Sequence, residues 1–248
     1  MLLGWTISDK FLVLAFAGWP LLVFPEVFSG MDYAEQFALL IPDSRDALNR
    51  VMWDLVPPAG AMLLLYIADR VARIDAATGM AELSASTAYP SWRLLCAQLA
   101  CVWSMALAFV VFTLLIVASA QLAAGSAIQA GEHLVQGVQS LSALLLAGGA
   151  FVSLHAMVRS RMAANLACLA LVVFGHSNLA PNLGLIHPLW KPLNLYLTSP
   201  DHIIGIEGNW APLVHYGLFW AALTSGAAVL ATVYHHRGLP YRQVGWLR

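Results

Sequence analysis

One carboxylate, Asp54, lies inside an apolar stretch and is followed closely by the proline pair Pro57-Pro58. An ionisable group within a membrane span is costly and often marks a functional position. Proline has no backbone N–H, so the pair is predicted to break the helix and to free nearby carbonyl oxygens. Asp54, Pro57 and Pro58 are therefore candidates for a translocation path, with Asp54 alternatively paired to Arg50. The interpretation we favour is a hydrated carboxylate at the outer membrane interface, near a helix N-terminus that stabilises it.

Histidines offer a second chemistry. Five of them fall on or near the predicted outer side: His133, His176, His187, His202 and His215. Two of these, His176 and His215, lie near the outer ends of predicted spans and could face each other to ligate haem, copper or zinc. No span carries an H-x-x-x-H or H-x-x-E spacing, and no cysteine joins the histidines on that side. Histidines at helix ends are more often interface residues, so no metal site is predicted.

A polar segment, Asp69 to Arg93, separates two long apolar runs. Gly79 suits a helix N-cap, and Glu82 then falls at the third helical position, where the positive helix end favours a carboxylate. A short helix is expected from about Met80 to Ala88, and Pro90 ends it and opens the next helix. Its two sides carry different residues: Met80, Leu83 and Thr87 on one, Glu82 and Ser86 on the other. Such a helix can dock into a partner protein, or it can simply lie on the membrane surface.

The composition is that of a polytopic, all-α membrane protein forming one domain over residues 1–248. The chain is 60% hydrophobic and 10% charged, whereas soluble domains carry about 25% charged residues. A net charge of −1 without a basic stripe gives no basis for nucleic-acid binding. Spans need roughly 17–25 apolar residues, and six are predicted: about Trp5 to Val23, Val51 to Ala68, Leu94 to Ala120, Leu134 to Val158, Ala163 to Leu179, and Pro212 to Tyr234.

The distribution of arginines predicts the orientation. One side carries most of them, which by the positive-inside tendency places both termini and the polar segment in the cytoplasm. Residues 25–50 form a polar outside segment that could contain a short helix. Residues 181–210, punctuated by four prolines, fit a re-entrant helical hairpin between spans five and six. A plain loop anchored by aromatic residues is the alternative.

Other residues are interpreted as packing features. The three cysteines, Cys96, Cys101 and Cys168, lie in apolar runs and are predicted to be small buried residues rather than a disulfide set or metal cluster. Gly148-Gly149, and Ala222 with Gly226, place small residues where helices can approach closely. Asn165 is expected to hydrogen-bond between helices. The first apolar run lacks a basic flank and a clear cleavage site, so we expect it to be a retained helix.

The polar segment contains the pattern G-x-x-E-L-x-x-S-x-x-x-P, at Gly79, Glu82, Leu83, Ser86 and Pro90. With the long third span, the six-span layout and the hairpin before span six, this pattern resembles the membrane subunits of type-2 ABC exporters. The chain departs from many members in having Gln98 where they carry lysine in span three. It also enters the membrane after a few residues, without their usual amphipathic connecting helix.

The resemblance implies a function and partners. The segment would be the coupling helix that binds a separate ATPase subunit, through Gly79, Met80, Glu82, Leu83, Ser86 and Pro90. The chain itself has no G-x-x-x-x-G-K-[ST] motif, so ATP and Mg would be bound by the partner, and no cofactor or enzymatic activity is expected in this chain.

A second permease, identical or related, would complete an alternating-access exporter in a bacterial inner (plasma) membrane, surrounded by lipid. The alternative functions are a haem- or metal-binding subunit of a redox complex, and a scaffold subunit that recruits a partner without transporting.

Overall fold

A computed structural model describes residues 9–36, 48, 50–74, 91–128, 130–176, 182–184 and 210–234. In this part of the chain the architecture is all-helical, with six α-helices: α1 Lys10–Gln36, α2 Val56–Ala72, α3 Ser91–Ala123, α4 Ala130–Met157, α5 Arg161–His176 and α6 Trp210–Tyr234. Five of these are long and apolar enough to cross a membrane, and α5, with 16 residues, is shorter. The chain is thus a helical membrane protein.

The first helix differs from its predicted bounds. Asp9 caps α1, because its Oδ1 accepts a 2.9 Å hydrogen bond from the Phe11 backbone N–H. The predicted end at Val23 is wrong, since α1 continues through two internal prolines as far as Gln36. A helix satisfies the backbone within its own segment, and membrane helices tolerate proline where their surroundings compensate for the lost hydrogen bonds.

The proline pair does not break span two. A π-helical turn, Arg50–Leu55, leads directly into α2, and the prolines occupy its first turn, where an N–H is not required. In the π-helical turn, the Met52 carbonyl oxygen accepts a 3.1 Å hydrogen bond from the Ser140 hydroxyl of α4. The π-helical turn before the prolines therefore provides an attachment point for α4.

Helix α4 lies at the centre of the bundle and packs against α2, α3, α5 and α6. Glycines make this packing close. A Cβ at Gly148 would lie 2.7 Å from the Cγ1 atom of Val102, and one at Gly149 would lie 2.7 Å from the Cγ2 atom of Thr224. The predicted close approach at this glycine pair is confirmed. Gly226 differs, because a Cβ there would meet no atom of the described chain within 4 Å.

Helix α1 is attached to the bundle mainly through α3. The Trp19 indole N–H donates a 2.8 Å hydrogen bond to the hydroxyl of Thr113, and both residues are buried. The Trp19 ring also lies 4.8 Å, between centroids, from the ring of Phe109. One polar contact inside an apolar interface fixes the rotation of α1 against α3.

The cysteine prediction holds for two of the three residues. Cys101 and Cys168 are buried free thiols, whereas Cys96 is exposed, so its predicted burial is wrong. Cys96 lies on a face of α3 that no other described helix covers, and an apolar run alone does not distinguish such a face from the core.

Candidate functional site

A buried carboxylate, Asp69, lies in the last turn of α2. Its Oδ2 accepts a 2.9 Å hydrogen bond from Nη2 of Arg161, the first residue of α5. Its Oδ1 accepts from Nε of Arg73 at 3.1 Å and from the amide nitrogen of Asn165 at 3.4 Å. Only 7% of the Asp69 side chain is exposed. A buried carboxylate is tolerated when it is paired and hydrogen-bonded, and here two arginines and an amide meet that need.

The network continues into α4 through His155, whose side chain is 1% exposed. Its Nδ1 lies 2.8 Å from the carbonyl oxygen of Phe151, and its Nε2 lies 2.8 Å from the amide oxygen of Asn165. The two ring nitrogens therefore each have a hydrogen-bonding neighbour, one within α4 itself and one on α5. The Asn165 amide directs its nitrogen toward the Asp69 carboxylate. The reverse orientation is unfavourable, because it would bring the amide oxygen against a carboxylate oxygen. Asp69, Asn165 and His155 thus connect α2, α5 and α4.

A second ion pair joins α1 to α2. The Asp9 Oδ2 accepts a 2.9 Å hydrogen bond from the Tyr66 hydroxyl and a 2.8 Å hydrogen bond from Nη2 of Arg70. Burial opposes the charged carboxylate, but the hydrogen bonds from Tyr66, the Phe11 N–H and Arg70 outweigh it and hold the pKa of Asp9 below its usual 3.8. The two clusters place the start of α1, the end of α2 and the start of α5 together. We call this the arginine end of the bundle.

The predicted coupling-helix residues lie outside the described residues: Gly79, Met80, Glu82, Leu83, Ser86 and Pro90. The described chain stops at Ile74 and resumes at Ser91. Ile74 directly follows the turn that contains Arg73, and Ser91 begins α3. This segment therefore joins α2 and α3 along the chain, and both of these helices pack on α4.

The candidate translocation residues are at the other end of α2. Asp54 is exposed within the π-helical turn, while Pro57 is buried and Pro58 half-buried. The structure does not bring Asp54 near Asp69, since α2 runs its full length between them.

The histidines predicted on the outer side include two outside the described residues, His187 and His202. The Nδ1 of His176 lies 3.0 Å from the Val172 carbonyl oxygen within its own helix, and His215 is exposed on α6. Within the described ranges, no three His, Cys, Asp or Glu side chains come together as metal ligands.

Sequence reasoning missed the roles of Asp69, Arg161 and His155. One local signal was present, because Asp69 and Arg73 are four residues apart and can pair on one helix face. The partners in α4 and α5 have no such signal. The expectation that Asn165 hydrogen-bonds between helices is confirmed, and the amide uses both its oxygen and its nitrogen.

Buried glutamines form a further polar feature. Gln136 and Gln139 lie one turn apart on the face of α4 that also carries Ser140, and all three are buried. Within the described chain, neither polar atom of the Gln139 amide has a hydrogen-bond partner. The same holds for the amide oxygen of Gln98 in α3. An unpaired buried amide is costly, and buried polar groups ordinarily find a protein or water partner.

Comparisons with protein-family profiles, with curated protein sequences and with solved structures find no match to this chain.

Proposed function

We propose that this chain is the transmembrane subunit of an ABC exporter, which moves its substrate by alternating access and is driven by a separate ATPase subunit. The observation that carries the proposal is the attachment of the segment between Ile74 and Ser91. Both helices that flank it, α2 and α3, pack directly on the central helix α4. A force applied to this segment would move two core helices together.

The Asp69 network supports this mechanism. It connects the last turn of α2 to Arg161 and Asn165 of α5, and through Asn165 to His155 of α4. Displacement of the end of α2 therefore cannot occur without movement of α4 and α5, or without breaking these hydrogen bonds. Switching elements of this kind have discrete arrangements because packed interfaces do not deform continuously.

The buried glutamines give the substrate path a candidate location. Among the described residues, Gln139 and Gln98 have side-chain amide atoms without a hydrogen-bond partner inside the bundle, on α4 and α3. Polar groups inside a membrane bundle commonly face a water-filled cavity or a pathway. Asp54, exposed at the far end of α2, remains a candidate at its mouth.

The test is association with an ATPase. The full chain is co-expressed with candidate ATPase subunits from its gene cluster, solubilised in a mild detergent and purified through a tag on the chain. We expect a stable complex that is lost in Glu82→Arg. The matched control is Glu26→Arg, which makes the same charge reversal at an exposed position of α1.

Two results would contradict the proposal. If the purified chain is stable and monodisperse but binds none of the ATPases, the proposed exporter function is wrong. A complex that survives Glu82→Arg and alanine substitutions from Glu82 to Ser86 would show that the coupling helix is assigned to the wrong segment. A Soret band in the purified chain would instead support the redox alternative.

A further inference from the structure

A cleft of about 780 Å³ opens between α1 and α2. Its walls include Leu14 and Gly18 of α1 and Met62 of α2, and its floor includes Phe109 of α3. Gly18 widens it, because no atom of the described ranges lies within 4 Å of the position that a Cβ would occupy there. The rim is apolar and exposed, with Leu14 at 70% and Leu21 at 76% exposure. The cleft therefore opens toward the surrounding lipid.

Both ends of the cleft are bounded by contacts between its walls. At the arginine end, the ring centroid of Phe11 lies 4.4 Å from that of Tyr66, beside the hydrogen bond from Tyr66 to Asp9. At the far end, α1 contacts the π-helical turn that precedes α2. Helix α1 is thus held at both ends of the cleft, and the gap between them is a formed feature of the bundle.

The polar end of the cleft carries excess positive charge. Asp69, Arg161 and Asn165 line it. The Asp69 carboxylate is shared by Arg161 and by a second arginine, Arg73, so these three groups sum to a charge of +1. The Arg161 side chain is 62% exposed and gives one nitrogen to Asp69. The rest of its planar guanidinium is available to a phosphate, a group that arginine binds well.

The length of the cleft matches one membrane leaflet. It extends along α1 from Phe11 to Leu22, which is about 17 Å at the helical rise per residue. Half of the hydrocarbon core of a bilayer is about 15 Å. An acyl chain that begins at the arginine end would therefore reach from the headgroup region to about the bilayer midplane.

We propose that this cleft is a binding site for one anionic membrane phospholipid, with an acyl chain between α1 and α2 against Gly18 and the headgroup phosphate on Arg161. The exposed apolar rim selects a ligand that arrives from the bilayer rather than from water. The excess charge at Arg161 selects an anionic headgroup over a zwitterionic one. The site needs no ATPase, so it can be tested separately from the exporter function.

Native mass spectrometry of the full chain gives the test. The protein is delipidated in a neutral detergent and offered phosphatidylglycerol or phosphatidylcholine with identical acyl chains at equal concentration. We expect one tightly bound phosphatidylglycerol and a preference of about fivefold over phosphatidylcholine, the effect of one arginine beside an anionic lipid. Equal occupancy by the two lipids would overturn the proposal.

Two variants locate the lipid. Gly18→Leu fills the cleft without a steric clash and should reduce bound phosphatidylglycerol at least fivefold. Gly226→Leu, which adds the same side chain at another open glycine on α6, should not. Arg161→Gln should reduce the lipid preference to about one while some acyl binding remains, and Arg161→Lys should retain a preference.

Unchanged lipid binding in Gly18→Leu would overturn the proposed position of the acyl chain. If Gly18→Leu instead removed a dimer peak from the native mass spectrum without reducing bound lipid, the cleft would be a contact between copies of this chain. Thermal denaturation of each variant checks that the bundle remains folded.

Discussion

The Asp69 carboxylate at the end of α2 accepts a 2.9 Å hydrogen bond from Arg161 at the start of α5, although the two residues are 92 positions apart. This contact and its extension to Asn165 connect three helices beside the segment proposed to bind the ATPase. The arginine end is therefore the part of the molecule where a local change should affect both stability and coupling.

Asp69→Asn should destabilise the bundle. Removing one partner of a fully buried ion pair costs about 3–5 kcal/mol, but Arg73 and Arg161 are 37% and 62% exposed, so solvent screens part of the interaction. We expect a loss of about 1–3 kcal/mol in unfolding free energy, measured by denaturant titration in mixed micelles. Asp54→Asn, at an exposed carboxylate in the π-helical turn that precedes α2, should have a smaller effect. Equal effects would contradict the role given to Asp69.

Gly148→Ala should also destabilise the protein, because the new Cβ would lie 2.7 Å from the Val102 side chain. Val102 is fully buried and β-branched, so it has few alternative rotamers. Overpacking of this kind costs about 1–3 kcal/mol. Gly18→Ala is the matched control, since its Cβ meets open space and alanine favours the helix. Adding Val102→Ala to Gly148→Ala should recover part of the loss, and failure to do so would place the strain elsewhere.

The hydrogen bond between Trp19 and Thr113 should appear as a coupling energy. In a double-mutant cycle with Trp19→Phe and Thr113→Val, we expect about 0.5–1.5 kcal/mol, in the range of interhelical hydrogen bonds in membrane proteins. The Thr113 hydroxyl also contacts the Phe109 carbonyl, at 2.8 Å. Thr113→Val removes this second contact whether residue 19 is Trp or Phe, so its energy cancels in the cycle. Strict additivity would show that α1 is oriented by apolar packing alone.

The lowered pKa of Asp9 predicts how the stability of the folded protein depends on pH. Its pKa is lowered below the usual 3.8 in the folded state, so its contribution to stability is present above 3.8 and is lost as the pH falls through the folded-state pKa. Wild type should therefore be more thermostable than Asp9→Asn at pH 5–7, and the difference should shrink at lower pH. A difference that grows below 3.8 would contradict the assigned sign.

The sequence indicated the membrane class, the all-helical architecture and the approximate position of most spans. The predicted interruption between span three, ending at about Ala120, and span four, starting at about Leu134, agrees with the end of α3 at Ala123 and the start of α4 at Ala130. These features are local, because the length and apolarity of a run decide whether it fits a bilayer. The error at Pro57-Pro58 arose because proline was taken as a helix break in a setting where the helix can continue. At α1, residues 25–50 were taken as a polar outside segment, whereas the helix extends to Gln36.

The site was decided by tertiary structure. Apolar periodicity indicates which face of a helix suits lipid or the core, but it does not specify which buried polar side chains meet. Asp69, Asn165 and His155 come from three helices and satisfy one another only after those helices pack. The cleft beside Gly18 likewise depends on how α1 is held against its neighbours. Sequence alone therefore determined that this is a helical membrane protein, and only the packing of its helices created the charged network and the cleft.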